Sequence, residues 1–234
     1  MQGIIYIAHG SKMPDKNEKF RQFVDLIIEK RPERIQRLAF LEKDDENVPL
    51  VASEMLEAGV TEFLVMPMLL FPAMHAQEDI PEQLESVLGD KASYRVADCF
   101  GDEESVWRVA LDRIDEARGH VLIVAHGNKR FDEPDMMLTE VVSQMQQRTD
   151  KELSAAMLYG KLSFEERLKN LDGEVTIMPY FLFDGHLVRK IKRLSEPFIA
   201  DGMMIHFTET LDLDDSMAQA VLNKLEALDV SSHA

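Results

Sequence analysis

The chain has 234 residues, 45% hydrophobic and 29% charged, with a net charge of −17 from 26 Lys and Arg against 43 Asp and Glu. That composition belongs to a folded globular chain, and the excess of acid argues against nucleic acid or anionic membrane as a partner. No apolar run approaches the roughly 20 residues of a membrane span, and one cysteine, Cys99, excludes an internal disulfide and cannot hold an iron–sulfur cluster alone. With Met1-Gln2-Gly3-Ile4 passing straight into a strand, without a basic leader or cleavage site, a cytoplasmic protein is expected.

Gly3 to Ala8 is nearly all apolar, as expected of a parallel strand covered on both faces, and it ends at His9-Gly10-Ser11. Pro14 opens a helix whose Phe20, Phe23, Val24, Ile27 and Ile28 fall at helical spacing, and Pro32 marks its exit. Arg37 to Leu41 is a second strand, ended by Glu42. Asn47 to Ala58 is a helix stopped by Gly59, and Glu62 to Met66 is the third strand, running on through Pro67 to a loop at His75. A helix with Ile80, Leu84, Val87 and Leu88 follows. Tyr94 to Ala97 makes a fourth strand, and Trp107, Ala110, Leu111 and Ile114 mark the helix after it.

The second half repeats this order. Val121 to Ala125 ends at His126-Gly127-Asn128, Ala155 to Tyr159 ends at Gly160, Val175 to Met178 leads to a loop at His186, and Met203 to Phe207 precedes the last helix. Strand and helix alternate four times per half. The pattern predicts an α/β protein of two similar, doubly wound parallel-sheet domains, residues 1–117 and 118–234, facing each other across a cleft. The internal pseudo-dimer predicts a monomer.

Ligands of an open parallel sheet bind beyond the carboxyl ends of its strands. His9, Glu42 and His75 follow the first, second and third strands, so all three should project from that edge. Two imidazoles and a carboxylate suit a divalent first-row metal and can take protons near neutral pH. In the second half His126 stands where His9 stands. Gly160 takes the place of Glu42, and a gapless count from Pro67 and Pro179 sets Leu187 opposite His75, with His186 one position early, where a one-residue loop shift would restore it to the site. The first half is therefore expected to be catalytic and the second to hold substrate.

The pairing of Ala8-His9-Gly10-Ser11 with the run Pro67 to His75 and Asp79-Ile80-Pro81, echoed by Met178 to Gly185, resembles the class II tetrapyrrole chelatases. Within these the chain is similar to the long, two-domain sirohydrochlorin ferrochelatases and their cobaltochelatase relatives. The resemblance implies ATP-independent insertion of a divalent metal into sirohydrochlorin on the way to siroheme, with Fe²⁺ favoured over Co²⁺. It further implies that His9 and His75 bind the metal and that Glu42 assists. Phe71-Pro72-Ala73 departs from the glycine-richer loop of relatives. The metal would be a substrate, with no cofactor retained, and the second partner would be an anionic tetrapyrrole.

Metallation must remove two pyrrole protons, strip water from the ion and pass it to the ring, which calls for bases and exchangeable ligands rather than thiolates. For the ring's carboxylates, Arg189, Lys190, Lys192 and Arg193 cluster at a helix start beside His186, and Ser11, Lys12, Lys129 and Arg130 follow the two His-Gly turns. Met74 would line an apolar ring face. A cobaltochelatase of cobalamin biosynthesis, a non-catalytic metal or tetrapyrrole carrier and a metal-dependent hydrolase are the competing readings.

Overall fold

The computed structural model describes residues 1–72 and 78–230. In chain order the elements are β1 (Gln2–Ala8), α1 (Pro14–Ile28), β2 (Gln36–Phe40), α2 (Val48–Glu57), β3 (Glu62–Pro67), α3 (Ile80–Leu88), β4 (Ser93–Val96) and α4 (Glu104–Arg113). They continue with β5 (His120–Ala125), α5 (Glu133–Gln146), β6 (Leu153–Met157), α6 (Phe164–Lys169), β7 (Glu174–Pro179), α7 (His186–Ala200), β8 (Met204–Phe207) and α8 (Ala218–Val230). The four-stranded sheets have the orders β2-β1-β3-β4 and β6-β5-β7-β8, and every described pairing is parallel. The expected doubly wound α/β architecture is thus present twice.

The central strands are continuous apolar runs because helices cover both of their faces. Ile5 and Ile7 of β1, with Phe63 and Val65 of β3, meet Val48, Val51, Ala52 and Met55 of α2 and Ile80, Leu84 and Leu88 of α3. In the second sheet Leu122, Val124, Val175 and Ile177 meet Phe164 and Leu168 of α6 and Ile191 of α7. Cys99 is buried, as expected of a small hydrophobe.

The chain divides into two compact units that do not follow consecutive halves. Unit 1 is Met1–Gly101 with Asp215–Ala234, and unit 2 is Asp102–Asp214. Each repeat therefore surrenders its closing helix: α8 packs on α1 and β3 of unit 1, and α4 packs on α5 of unit 2. Relative to the split at residue 117 read from the sequence repeat, the closing helices are exchanged. The physical basis is that α4 and α8 present similar apolar faces, Val106, Trp107, Val109 and Ala110 on one and Ala218, Val221, Leu222 and Leu225 on the other, and hydropathy alone does not say which sheet each will cover.

Polar contacts fix the far end of α8 in unit 1. Arg31 donates to Glu33 at 2.5 Å and to Asp229 at 2.8 Å, and Arg95 donates to the Leu228 carbonyl at 2.6 Å. Cations on the last turn of a helix also favour its dipole.

Candidate functional site

The backbone ladder continues past the ends of the strands, and this sets the site. In unit 1 the Leu41 N–H donates to the Ala8 carbonyl at 2.9 Å, Glu42 N–H to the His9 carbonyl at 3.1 Å, and Met68 N–H to the Ile7 carbonyl at 2.8 Å. His9 and Glu42 are thereby adjacent at the carboxyl edge, with His9 Nδ1 3.6 Å from Glu42 Oε2 and 3.4 Å from the Gly10 carbonyl oxygen. Both oxygens lie on the Nδ1 side of the ring, and a proton on Nδ1 would leave the lone pair on Nε2, the atom suited to a metal. The sheet brings together the predicted pair His9 and Glu42. His75 and Met74 lie outside the described residues, and among the described residues no group of three or more metal-donor side chains is assembled.

The loop carrying Glu42 is anchored a turn later. Arg21 of α1 donates to Glu46 Oε2 at 2.6 Å, its guanidinium carbon lies 5.5 Å from the centre of the Phe40 ring, and Lys43 adds a second contact to Glu46. The Arg21 hydrogen bond, reinforced by Lys43 against an opposing desolvation, holds the Glu46 carboxyl down to about 2 from an ordinary 4.5. A depressed folded-state value means stability that is present above the unfolded value and lost as pH falls toward the folded one. Wild type should therefore exceed Glu46→Gln in stability at pH 6 by on the order of 1 kcal/mol after solvent screening. In urea melts the gap should narrow as pH falls from 4.5 to about 2, the window set by the two Glu46 values.

Ser11 serves the turn before α1: its hydroxyl accepts from the Met13 N–H at 3.1 Å, and its backbone exchanges hydrogen bonds with Asn17 at 2.9 and 2.8 Å. Lys12 is exposed beside it.

Unit 2 repeats the edge with different chemistry. Leu158 N–H donates to the Ala125 carbonyl at 2.9 Å, Tyr159 N–H to the His126 carbonyl at 2.8 Å, and Tyr180 N–H to the Val124 carbonyl at 2.8 Å. The residue in the place of Glu42 is therefore Tyr159, and the sequence assignment of Gly160 to that place is corrected by one residue. Gly160 answers to the backbone instead: its φ is +146°, and a Cβ there would stand 2.8 Å from Asp135 Oδ2. Gly127 is constrained in the same way, with φ +71° and a virtual Cβ 1.7 Å from the Tyr159 carbonyl oxygen.

His126 Nδ1 donates to the Gly127 carbonyl at 2.7 Å, and its ring centre lies 5.2 Å from that of Tyr159. Lys129 and Arg130 are exposed after this turn, with the Arg130 guanidinium carbon 5.8 Å from the Phe131 ring centre. The gapless count that sets Leu187 opposite His75 falls outside the described residues on the His75 side; in unit 2 residues 180–185 join β7 to α7. His186 is the first residue of α7 and is exposed.

The four cations of α7 differ in their surroundings. Arg189 and Arg193 are exposed, Lys192 lies 4.0 Å from Asp184 and 5.6 Å from the Phe207 ring centre, and Lys190 turns to Tyr159. Tyr159 was missed because the strand end was counted from hydropathy; counting from the paired His-Gly turns through the strand register would have found it.

A sequence model of the CbiX family matches residues 3–117 and again residues 120–228. The sirohydrochlorin ferrochelatase of Priestia megaterium is 24% identical over 97% of this chain and 91% of its own length. That of Bacillus subtilis is 25% identical over 96% and 90%. The structure of SirB from Bacillus subtilis with Fe³⁺ is similar in fold, with a TM-score of 0.85 at 21% identity, covering 99% of this chain and 97% of that one. Two matched repeats spanning nearly the whole chain, each folded as the same parallel sheet, make this protein a member of the CbiX family.

Proposed function

We propose that this protein is an ATP-independent chelatase that inserts a divalent metal, Fe²⁺ in preference to Co²⁺, into sirohydrochlorin. The observation that carries the reading is the His9–Glu42 pair, held at one carboxyl edge by consecutive ladder hydrogen bonds, in a chain whose near full-length relatives are named for that reaction.

The first repeat, residues 1–117, carries the chemistry in this proposal, and the second, 118–234, holds the ring. His9 offers Nε2 as an exchangeable ligand, and His75 is the second imidazole of the set. Once the ion passes from Nε2 to the ring, that nitrogen is open to one pyrrole proton, with Glu42 steadying the imidazolium, and the Glu42 carboxylate is the acceptor for the other. Nitrogen and oxygen donors with open positions release an ion that thiolates would retain, so the metal is consumed and no cofactor stays bound. Carboxylates of the ring are met by Lys12, Lys129, Arg130 and the cations of α7, with Ser11, Met74, His126 and His186 completing the walls. No helix among the described residues is long and apolar enough to cross a membrane.

The test is an anaerobic absorbance time course of sirohydrochlorin with Fe²⁺, Co²⁺ and Ni²⁺ in separate reactions, without nucleotide. Faster metallation than the enzyme-free control is expected, greatest with Fe²⁺, and gel filtration should return protein without stoichiometric metal. Traces that superimpose on the control for all three ions overturn the reading. Tightly retained metal without turnover would instead mark a carrier.

A further inference from the structure

We infer that Tyr159 and Lys190 form a fixed receptor for one carboxylate of the ring substrate, an inference that rests on the chelatase reading for the identity of its ligand. Backbone register puts Tyr159 in the place Glu42 holds in the other repeat, beside the His-Gly turn at the carboxyl edge of β5 and β6. A phenol there replaces the carboxyl group of Glu42 with a hydroxyl that can donate a hydrogen bond. Lys190 Nζ donates to the Tyr159 hydroxyl at 2.8 Å and stands 4.3 Å from the centre of its ring. The ammonium is thus held by both the oxygen and the π face of one side chain.

The donor count gives the pair its chemistry. Lys190 commits one N–H to the phenol oxygen, which leaves the ammonium with further donors, and the phenol, acting as acceptor, still has its own O–H to give. An ammonium and a hydroxyl side by side offer donors to the two oxygens of one carboxylate, as a charge-assisted contact. Both residues are half-buried, so the ammonium is less screened than the exposed Arg189 and Arg193 of the same helix. The tilt of 59° between the His126 and Tyr159 rings packs the imidazole against the phenol and limits its swing. Where the first repeat has a carboxylate at this register position, the second has a phenol that holds the ammonium of Lys190 from α7 beside it.

The experiment measures quenching of metal-free sirohydrochlorin fluorescence by the full chain at low salt, with steady-state metallation in parallel. Tyr159→Phe keeps the ring under the ammonium and removes only the hydroxyl, and should raise Kd about fivefold; Lys190→Met should raise it about tenfold or more. Lys190→Arg should recover most of the loss, and Lys169→Gln, an exposed charge removal in α6, should stay within twofold of wild type. KM should follow Kd while kcat moves little, and the salt dependence of Kd should be shallower in Lys190→Met than in wild type. Thermal melts establish that each variant is folded.

Kd within twofold of wild type in both folded variants overturns the inference, as does a loss confined to Lys190→Met with Tyr159→Phe unaffected, which leaves the lysine acting without the phenol. If wild type fails to metallate the ring yet Kd rises in the variants as expected, the chelatase reading falls and the receptor stands. If wild type metallates and the variants bind normally, only the receptor falls.

Discussion

His9→Ala and His75→Ala are each expected to lower kcat for metallation by about two orders of magnitude or more, the scale of losing positioned acid–base help. His9 loses both a ligand atom and the proton acceptor whose Nδ1 faces Glu42 and the Gly10 carbonyl. Glu42→Gln should also be damaging, because a neutral amide neither stabilises an imidazolium nor accepts a proton. His126→Ala should cost much less, since its neighbour in the strand register is the phenol of Tyr159 rather than a carboxylate. His186→Ala should act on ring binding, because His186 opens α7 ahead of Arg189 and Lys190. Steady-state metallation by all five variants, with circular dichroism to establish folding, checks the set. Dead His126 and His186 variants beside active His9 and His75 variants would show that the active repeat has been assigned backwards.

A chain ending at residue 117 should lack a cooperative monomeric fold, although it contains one whole sequence repeat. Unit 1 needs α8, which buries Val221, Leu222 and Leu225 and is pinned through Arg31–Asp229 and Arg95–Leu228. Burial of each such side chain contributes about 1.5–3 kcal/mol. Three of them approach the roughly 5–15 kcal/mol that separates a folded domain from its unfolded chain. Residues 1–101 joined by a flexible linker to 215–230 should instead melt cooperatively. Urea denaturation of the two chains, followed by circular dichroism and sedimentation, distinguishes them: a cooperative monomeric melt by the 1–117 chain would place the closing helix with its own repeat.

Much of this was legible in the sequence because it is written in hydropathy and punctuation. Apolar runs such as Gly3 to Ala8 and Val121 to Ala125 fix buried parallel strands, and Pro14 and Asn47 mark helix starts that the structure places at Pro14 and Val48. The His9–Glu42 pairing followed from topology, since successive strands of a parallel sheet deliver their following residues to one edge.

What was not legible depends on information that hydropathy lacks. Tyr159 ends an apolar strand and reads as its last core residue, whereas Gly160 reads as a lost functional group. Hydrogen bonding from Tyr159 to His126, and a positive φ at Gly160, reverse the two roles. The exchange of α4 and α8 is invisible for a related reason: amphipathic spacing says that a helix has a sheet to cover and not which one. The α7 cations cluster in sequence, but at about 100° per residue adjacent side chains diverge, so Lys190 reaches Tyr159 while Lys192 lies near Asp184.

The claim that the metal is received at the His9–Glu42 edge is tested most directly by anaerobic Co²⁺ titration of the ring-free protein, read from the ligand-field absorption of the bound ion. One weakly held, readily exchanged Co²⁺ per chain is expected in wild type and in His126→Ala, with the signal lost in His9→Ala and weakened in Glu42→Gln. Unchanged Co²⁺ spectra and affinity in His9→Ala, or loss of the signal in His126→Ala alone, would contradict the account.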